Sequence, residues 1–250
     1  MFIKQQGQGK PLILLHGWGF NGNIWNEIAA DLAKNWQVYQ VDLPGHGKSP
    51  MCEYSLPILT EQLAANLPNN AIWIGWSLGG LLAMNIAIQC QVRGLILVAT
   101  SPRFVTAKDW PCAMTAELLQ QFADQLQTDT VETLRRFLTL QVRGCDNARE
   151  QLRNLNFFLT NPPQTDALQS GLQLLQHTDL RSLLQQINCP ALLCLGKRDK
   201  IVPVEVGEKC QTYWPELHKT IIKPAAHIPF LSHPELFMEI LQNFLAQIST

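Results

Sequence analysis

Ala71-Ile72-Trp73-Ile74-Gly75-Trp76-Ser77-Leu78-Gly79-Gly80 is the stretch on which the rest of the chain turns. A short apolar, β-favouring run stops at Gly75. Ser77 follows between bulky Trp76 and Leu78, and Gly79-Gly80 lead into an apolar segment of helical character, Leu81 to Ile88. This is Gly-x-Ser-x-Gly where a strand feeds a helix. A serine pinched in such a turn is expected to hold a strained backbone conformation, which only small neighbours permit. The strain lifts its hydroxyl out of the sheet, and a helix starting at Leu78 aims unpaired N–H groups at whatever the serine attacks.

Working outward, Pro11 to Leu15 is a solid apolar run, the mark of a strand buried on both faces. It runs into His16-Gly17-Trp18-Gly19-Phe20, a glycine-rich loop at the carboxyl edge of a sheet, where open α/β sheets bind ligands. Ile24 to Leu32 reads as a helix and Gln37 to Val41 as a second strand, ending in Asp42-Leu43-Pro44-Gly45-His46-Gly47-Lys48-Ser49. The Gly-Lys-Ser tail is not a phosphate loop. The first glycine of that motif would fall at Asp42, and Pro50 pushes Ser49 toward extended geometry where a helix must start. Beyond the serine, Gly94 to Ala99, Ala191 to Leu195 and, more weakly, His218 to Lys223 continue the strand–helix rhythm. The expected fold is α/β, a mostly parallel sheet flanked by helices.

Between Pro102 and Cys189 the rhythm breaks. Leu118/Leu119, Phe122 and Leu126 repeat at helical spacing, as do Val131, Leu134, Leu138 and Val142, then Leu152, Leu155 and Leu159. Asn161-Pro162-Pro163 stops one helix, and Asp179 is a good N-cap for another. Residues 1–101 and 190–250 are thus expected to form the core, with 102–189 a helical lid inserted between two sheet strands and roofing the carboxyl edge. Both ends of the lid return to the sheet, so the chain is one folding unit.

Composition bounds the function. The chain has 250 residues, an apolar fraction of 46% and a net charge of -1, values of an ordinary globular protein with no global pull toward nucleic acid. Its apolar runs are far too short to span a membrane, and Met1 to Lys10 carries no secretion signal. Seven scattered cysteines, none in Cys-x-x-Cys, fit free thiols in a reducing cytosol. A cytoplasmic monomer without membrane association is expected. No His/Cys/Asp spacing suggests a metal site, and no cofactor is expected.

A serine hydroxyl needs a base to take its proton, and the base needs an acid to fix its tautomer and stabilise its charged form. In a strand–turn–helix frame the order is Ser, then Asp/Glu, then His, each on a loop after a strand. Asp199 lies just past Leu195 and is the candidate acid. Glu205, at the start of the next helix, needs no catalytic explanation, and Asp42 braces its own loop. His227, in Ala225-Ala226-His227-Ile228-Pro229, is the candidate base, whereas His233 merely precedes Pro234 at a helix start. His16 reads as a loop brace. The oxyanion formed by attack needs two N–H donors, one from Leu78 and one from the loop after the first buried strand, with Trp18 the natural position. The Trp18 indole would also line the pocket. Phe20 either lines it too or packs in the core.

Together these residues resemble the α/β-hydrolase family over essentially the whole chain. His16-Gly17-Trp18-Gly19, Val41 to Gly45, Trp73 to Gly80, Ser101-Pro102, Arg136-Phe137-Leu138, Asp179-Leu180-Arg181 and Lys223 to Phe230 are similar, more closely, to the branch that cleaves methyl esters of acyl chains borne by acyl carrier protein in biotin synthesis. Trp76 and Trp18 are the more specific features. The resemblance implies hydrolysis of a pimeloyl methyl ester on acyl carrier protein, giving methanol and the free carboxylate. It further implies that Trp18, Leu78 and the lid segment Phe137, Leu138, Thr139, Leu140 and Gln141 contact the acyl chain, beside Ser77 and His227.

The lid's charge is consistent with such a partner. Every cation between Trp110 and Gly196 is arginine, and from Thr133 to Phe158 five arginines face two acids, a local excess of +3. Arginine's planar fork suits carboxylates and phosphates, both of which an acidic carrier with a phosphopantetheine arm presents. Arg136, Arg143, Arg149 and Arg153 are the candidate docking residues, Arg149 and Arg153 sharing a helix face; a solvated helix face is the other reading. Glu132 departs from the basic patch the family implies. The same triad would serve a broad small-ester esterase or a carbon–carbon bond hydrolase, since substrate choice lives in the lid. A ligand receptor on a vestigial hydrolase frame is a remoter alternative.

Overall fold

The buried apolar runs become the strands of one twisted sheet in the computed structural model, which describes residues 1–248. The strands are β1 (Phe2–Gln6), β2 (Pro11–Leu15), β3 (Gln37–Asp42), β4 (Ile72–Trp76), β5 (Gly94–Val98), β6 (Ala191–Gly196) and β7 (His218–Ile222), in the spatial order β1-β3-β2-β4-β5-β6-β7. All neighbours are parallel except β1, which runs antiparallel to β3. The register aligns the strand ends. Leu15 lies opposite Gly75, Trp76 opposite Val98, Val98 opposite Cys194 and Gly196 opposite Ile222. The loops after β2, β4, β6 and β7 therefore leave from one edge.

Both faces of the sheet are covered, which is why its strands are apolar throughout rather than alternating. Ile13, Leu15 and Trp73 face helices α2 (Leu56–Asn66), α3 (Leu78–Gln89) and α8 (Glu205–Tyr213). Leu12, Leu14, Ile72 and Ile74 face α1 (Asn26–Leu32) and the last helix, α10 (Pro234–Ile248). A four-residue helix, α9 (Pro229–Ser232), precedes α10. Ile24 to Leu32 is not one helix: Gly22–Trp25 is a 3-10 turn, capped by the Asn21 side chain, and α1 follows it.

Between β5 and β6 lie α4 (Ala116–Thr128), α5 (Thr130–Val142), α6 (Ala148–Leu155) and α7 (Thr165–His177), with 3-10 turns at Asn156–Thr160 and Arg181–Gln186. Thr115 and Asp129 cap α4 and α5 by accepting from Leu118 N and Glu132 N. On α5 the inward stripe is Leu134, Phe137, Leu138, Gln141 and Val142, whereas Val131, placed in the same repeat by its spacing, is exposed. Asp179 does not start a regular helix. Its carboxylate accepts from Arg103 Nη1 at 2.7 Å and from Arg181 Nε and Nη2 at 2.9 and 2.8 Å, and Leu180 N donates to Pro102 O. The two ends of the insertion are thereby clasped together. Burial raises the Asp179 pKa, but the bonds from Arg181 and Arg103 outweigh it and hold the group at about 2.

Candidate active site

Ser77 occupies the sharp turn from β4 to α3 with φ 53° and ψ -117°, a region costing a non-glycine residue about 1–3 kcal/mol. The surroundings enforce it. Ser77 N donates to Val98 O at 2.9 Å, and its carbonyl accepts from Gly80 N, Leu81 N and the Thr100 hydroxyl. A Cβ on Gly75 would lie 2.3 Å from Gly79 O, one on Gly79 2.5 Å from His16 O, and one on Gly80 2.5 Å from Thr100 Cγ2. Gly75 and Gly79 are thus places where backbone meets backbone, Gly79 bringing the end of β2 and its loop against the start of α3, while Gly80 makes room for the Thr100 side chain.

That loop carries Trp18. Its indole N–H donates to Leu168 O on α7 at 2.8 Å, and its ring meets Phe137 of α5 edge-on at 4.6 Å. Trp18 and Leu78 share a neighbour: a Cβ on Gly171 would touch the side chains of both. His16 braces the loop, donating from Nδ1 to Gly17 O at 2.8 Å while its Nε2 accepts from Leu43 N. Burial lowers its pKa to about 4, which keeps it neutral and able to do both. Asp42 holds the adjoining loop by accepting from Gly22 N and Lys48 N. Phe20 packs between Trp76, at 4.9 Å, and Phe158, at 5.1 Å.

Asp199 sits on the loop after β6, buried and fully used. One carboxylate oxygen accepts from Ile201 N and Val202 N, at 2.8 and 3.0 Å, and the other is 2.8 Å from His227 Nδ1. An acid so placed makes Nδ1 the protonated nitrogen and leaves the lone pair of Nε2 for a proton to be taken. His227 follows β7 behind Ala225 and Ala226, whose main chain lies directly against the end of β6: a Cβ on Gly196 would lie 2.1 Å from Ala226 O, so only glycine fits there. Its Nε2 is buried and has no hydrogen-bond partner among the described residues. The Trp76 indole N–H donates to His227 O at 2.8 Å, and His227 N donates to Gln141 O at 3.2 Å. Glu205 is exposed at the start of α8, and the His233 ring pairs with Ser232 Oγ.

Of the lid segment, Phe137, Leu138 and Gln141 face inward, whereas Thr139 is exposed and Leu140 half-buried, both lining a groove on the outer side. That groove, about 730 Å³, also takes Leu118, Phe122, Arg136, Arg143 and Arg149. Arg153, one turn along α6 from Arg149, lines a different groove with Asn23 and Phe157. Sequence spacing overlooked three tertiary contributions: the Trp76 indole bond to the His227 loop, the Gln141 main-chain bond to His227, and Thr100 beneath the elbow. Only the Gly-Trp-Ser context of Trp76 offered a signal.

A strained serine after a central strand, an Asp–His pair on two later loops and a helical insertion above them define a class, and residues 10–234 match the family described as the alpha/beta hydrolase fold; the chain belongs to it. Solved structures agree on the fold: an esterase from Exiguobacterium antarcticum superimposes with a TM-score of 0.87 at 22% identity, covering 100% of this chain and 95% of that one. A bromoperoxidase from Bacillus anthracis gives 0.88 at 22% identity, with 98% and 94% covered. Within the family, the chain is a member of the pimeloyl-[acyl-carrier protein] methyl ester esterase group. It is 41% identical to the protein of that name from Aeromonas salmonicida (strain A449), over 97% of this chain and 98% of that one. It is likewise 41% identical to that from Xanthomonas oryzae pv. oryzae (strain MAFF 311018), over 99% and 100%.

Proposed function

We propose that this protein is a serine esterase that hydrolyses the methyl ester of a pimeloyl chain carried by acyl carrier protein, releasing methanol and the carrier-bound carboxylate, a step of biotin synthesis. Ser77 attacks the ester carbonyl as His227 Nε2 takes its proton. The N–H groups of Trp18 and Leu78 hold the oxyanion. His227 then protonates departing methanol, Asp199 steadies the imidazolium, and water releases the acyl group from Ser77. The observation that carries the chemistry is the 2.8 Å bond from His227 Nδ1 to an Asp199 carboxylate whose other oxygen is already saturated. Support for the substrate comes from the relatives' shared name.

The outer groove supports a carrier partner. On this groove Arg143 and Arg149 have no acidic partner within salt-bridge distance among the described residues, nor has Arg153 on the neighbouring one, whereas Arg135 is paired with Glu132. An apolar floor ringed by free guanidinium groups suits an acidic protein with a phosphorylated arm. The test compares carrier-bound with free pimeloyl methyl ester. Ser77→Ala should abolish turnover of both, and Arg143→Glu with Arg149→Glu should slow only the carrier-bound ester. Equal loss on both esters in the arginine variant would make the patch structural, and persistent turnover in Ser77→Ala would move the nucleophile elsewhere.

A further inference from the structure

Gln141 is fully buried on the inward stripe of α5, yet neither Oε1 nor Nε2 of its carboxamide has a hydrogen-bond partner among the described residues. Leaving two such atoms unpaired is unfavourable, so a buried carboxamide that the protein does not satisfy marks a place for a polar guest. Its position says which guest. One turn earlier on the same stripe, Phe137 packs on Trp18 of the oxyanion loop. The Gln141 main chain itself accepts from His227 N, and the base's Nε2 is the third unpartnered polar atom in this neighbourhood. The stripe therefore runs from a residue packed on the Trp18 loop to one whose main chain is bonded to His227.

The geometry points to Gln141 as the residue that orients the hydrolytic water in the second half-reaction. This role rests on the serine chemistry proposed above and deepens it. Water brings two O–H groups. As its oxygen forms the bond to the acyl carbon, one proton passes to His227 Nε2 and the carbonyl electron pair moves to the oxyanion. The second O–H donates to Gln141 Oε1 throughout. Collapse of the oxyanion breaks the bond from carbon to Ser77 Oγ, and the proton on Nε2 goes to that oxygen, restoring the serine and freeing the acid. Methanol has a single O–H, which His227 claims, so it gains nothing from Oε1. Gln141 thus favours water over the alcohol just released, which would otherwise rebuild the ester.

The partition between water and methanol reads this directly. Wild type and the near-isosteric variants Gln141→Met and Gln141→Leu are given p-nitrophenyl butyrate in buffer containing methanol, and butyrate and methyl butyrate are quantified together. Both variants should raise the ratio of methanolysis to hydrolysis about tenfold, with a pre-steady-state burst of p-nitrophenol as deacylation becomes limiting. Their melting temperatures should equal or exceed that of wild type, because an unpaired carboxamide has been replaced by apolar atoms. An unchanged ratio, with both product rates falling together, would overturn the assignment. So would a clear drop in melting temperature in both variants, since the carboxamide would then be held by the protein rather than by a guest. Ser77→Ala separates the two levels: continued turnover there overturns the serine chemistry and this role with it, whereas an inactive Ser77→Ala beside an unchanged ratio overturns the role alone.

Discussion

The indole N–H of Trp76 donates to the main-chain carbonyl of His227 at 2.8 Å, so the residue before Ser77 holds the loop that carries His227. The same ring lies 5.7 Å from the imidazole and fills the space beside Gly17, where a Cβ would come within 2.9 Å of it. One side chain thus touches the loop after β2, the turn at Ser77 and the loop of His227. Trp76→Phe keeps the ring but strands a buried carbonyl. It should cost about 1–2 kcal/mol in denaturant unfolding and lower kcat for a small ester more than it changes KM.

Asp199→Asn preserves the shape of the site and the bonds from Ile201 and Val202 but removes the charge that sets the His227 tautomer. Steady-state kinetics on p-nitrophenyl butyrate should show kcat reduced by about 10⁴-fold, with the melting temperature near wild type. A loss of less than about tenfold would argue that another group orients His227.

Gly79→Ala and Gly94→Ala should differ sharply although each adds one methyl group. At 79 the new Cβ would meet His16 O at 2.5 Å and Leu15 O at 2.6 Å, backbone atoms that cannot turn aside. At 94 the nearest atom is the tip of the Ile248 side chain, at 2.6 Å, which can rotate away. Unfolding measurements should put the first substitution at about 3 kcal/mol or more and the second within about 1 kcal/mol.

Asp179 makes stability depend on acid. Its folded pKa, about 2, lies below the ordinary value of 3.8, so the unfolded chain binds its proton first on acidification. The contribution is complete above about pH 4 and is lost as pH falls toward 2. Asp179→Asn should lower stability by about 1 kcal/mol at neutral pH, solvent screening being allowed for. Urea unfolding across this range should find the gap between variant and wild type closing as the pH drops.

The strands around Ser77 were readable because burial on both faces leaves uninterrupted apolar runs, and the catalytic candidates because each follows such a run at the strand's carboxyl end. β1 was missed: Lys4 and Gln5 are exposed on an edge strand, and only Phe2, Ile3 and Gln6 are half-buried. The helix α2 also passed unremarked, since a core position on it is held by Thr60, whose hydroxyl donates to Leu56 O and accepts from Asn85. Val131 followed the helical repeat of α5 yet faces solvent, because periodicity gives a stripe's spacing but not where the neighbouring helices stop covering it. The groove shared by Arg136, Arg143 and Arg149, and the separation of Arg153 from it, depend on how α4, α5 and α6 pack. No local pattern encodes that.

The clasp of Arg103 and Arg181 on Asp179 has a bearing on how such chains diversify. Because the insertion is closed off at its base by this clasp, the parts of it that do not touch the loops of Ser77, Trp18 and His227 can be exchanged while the strands beneath keep their register. New substrates can then be acquired by transplanting a roof onto unchanged chemistry.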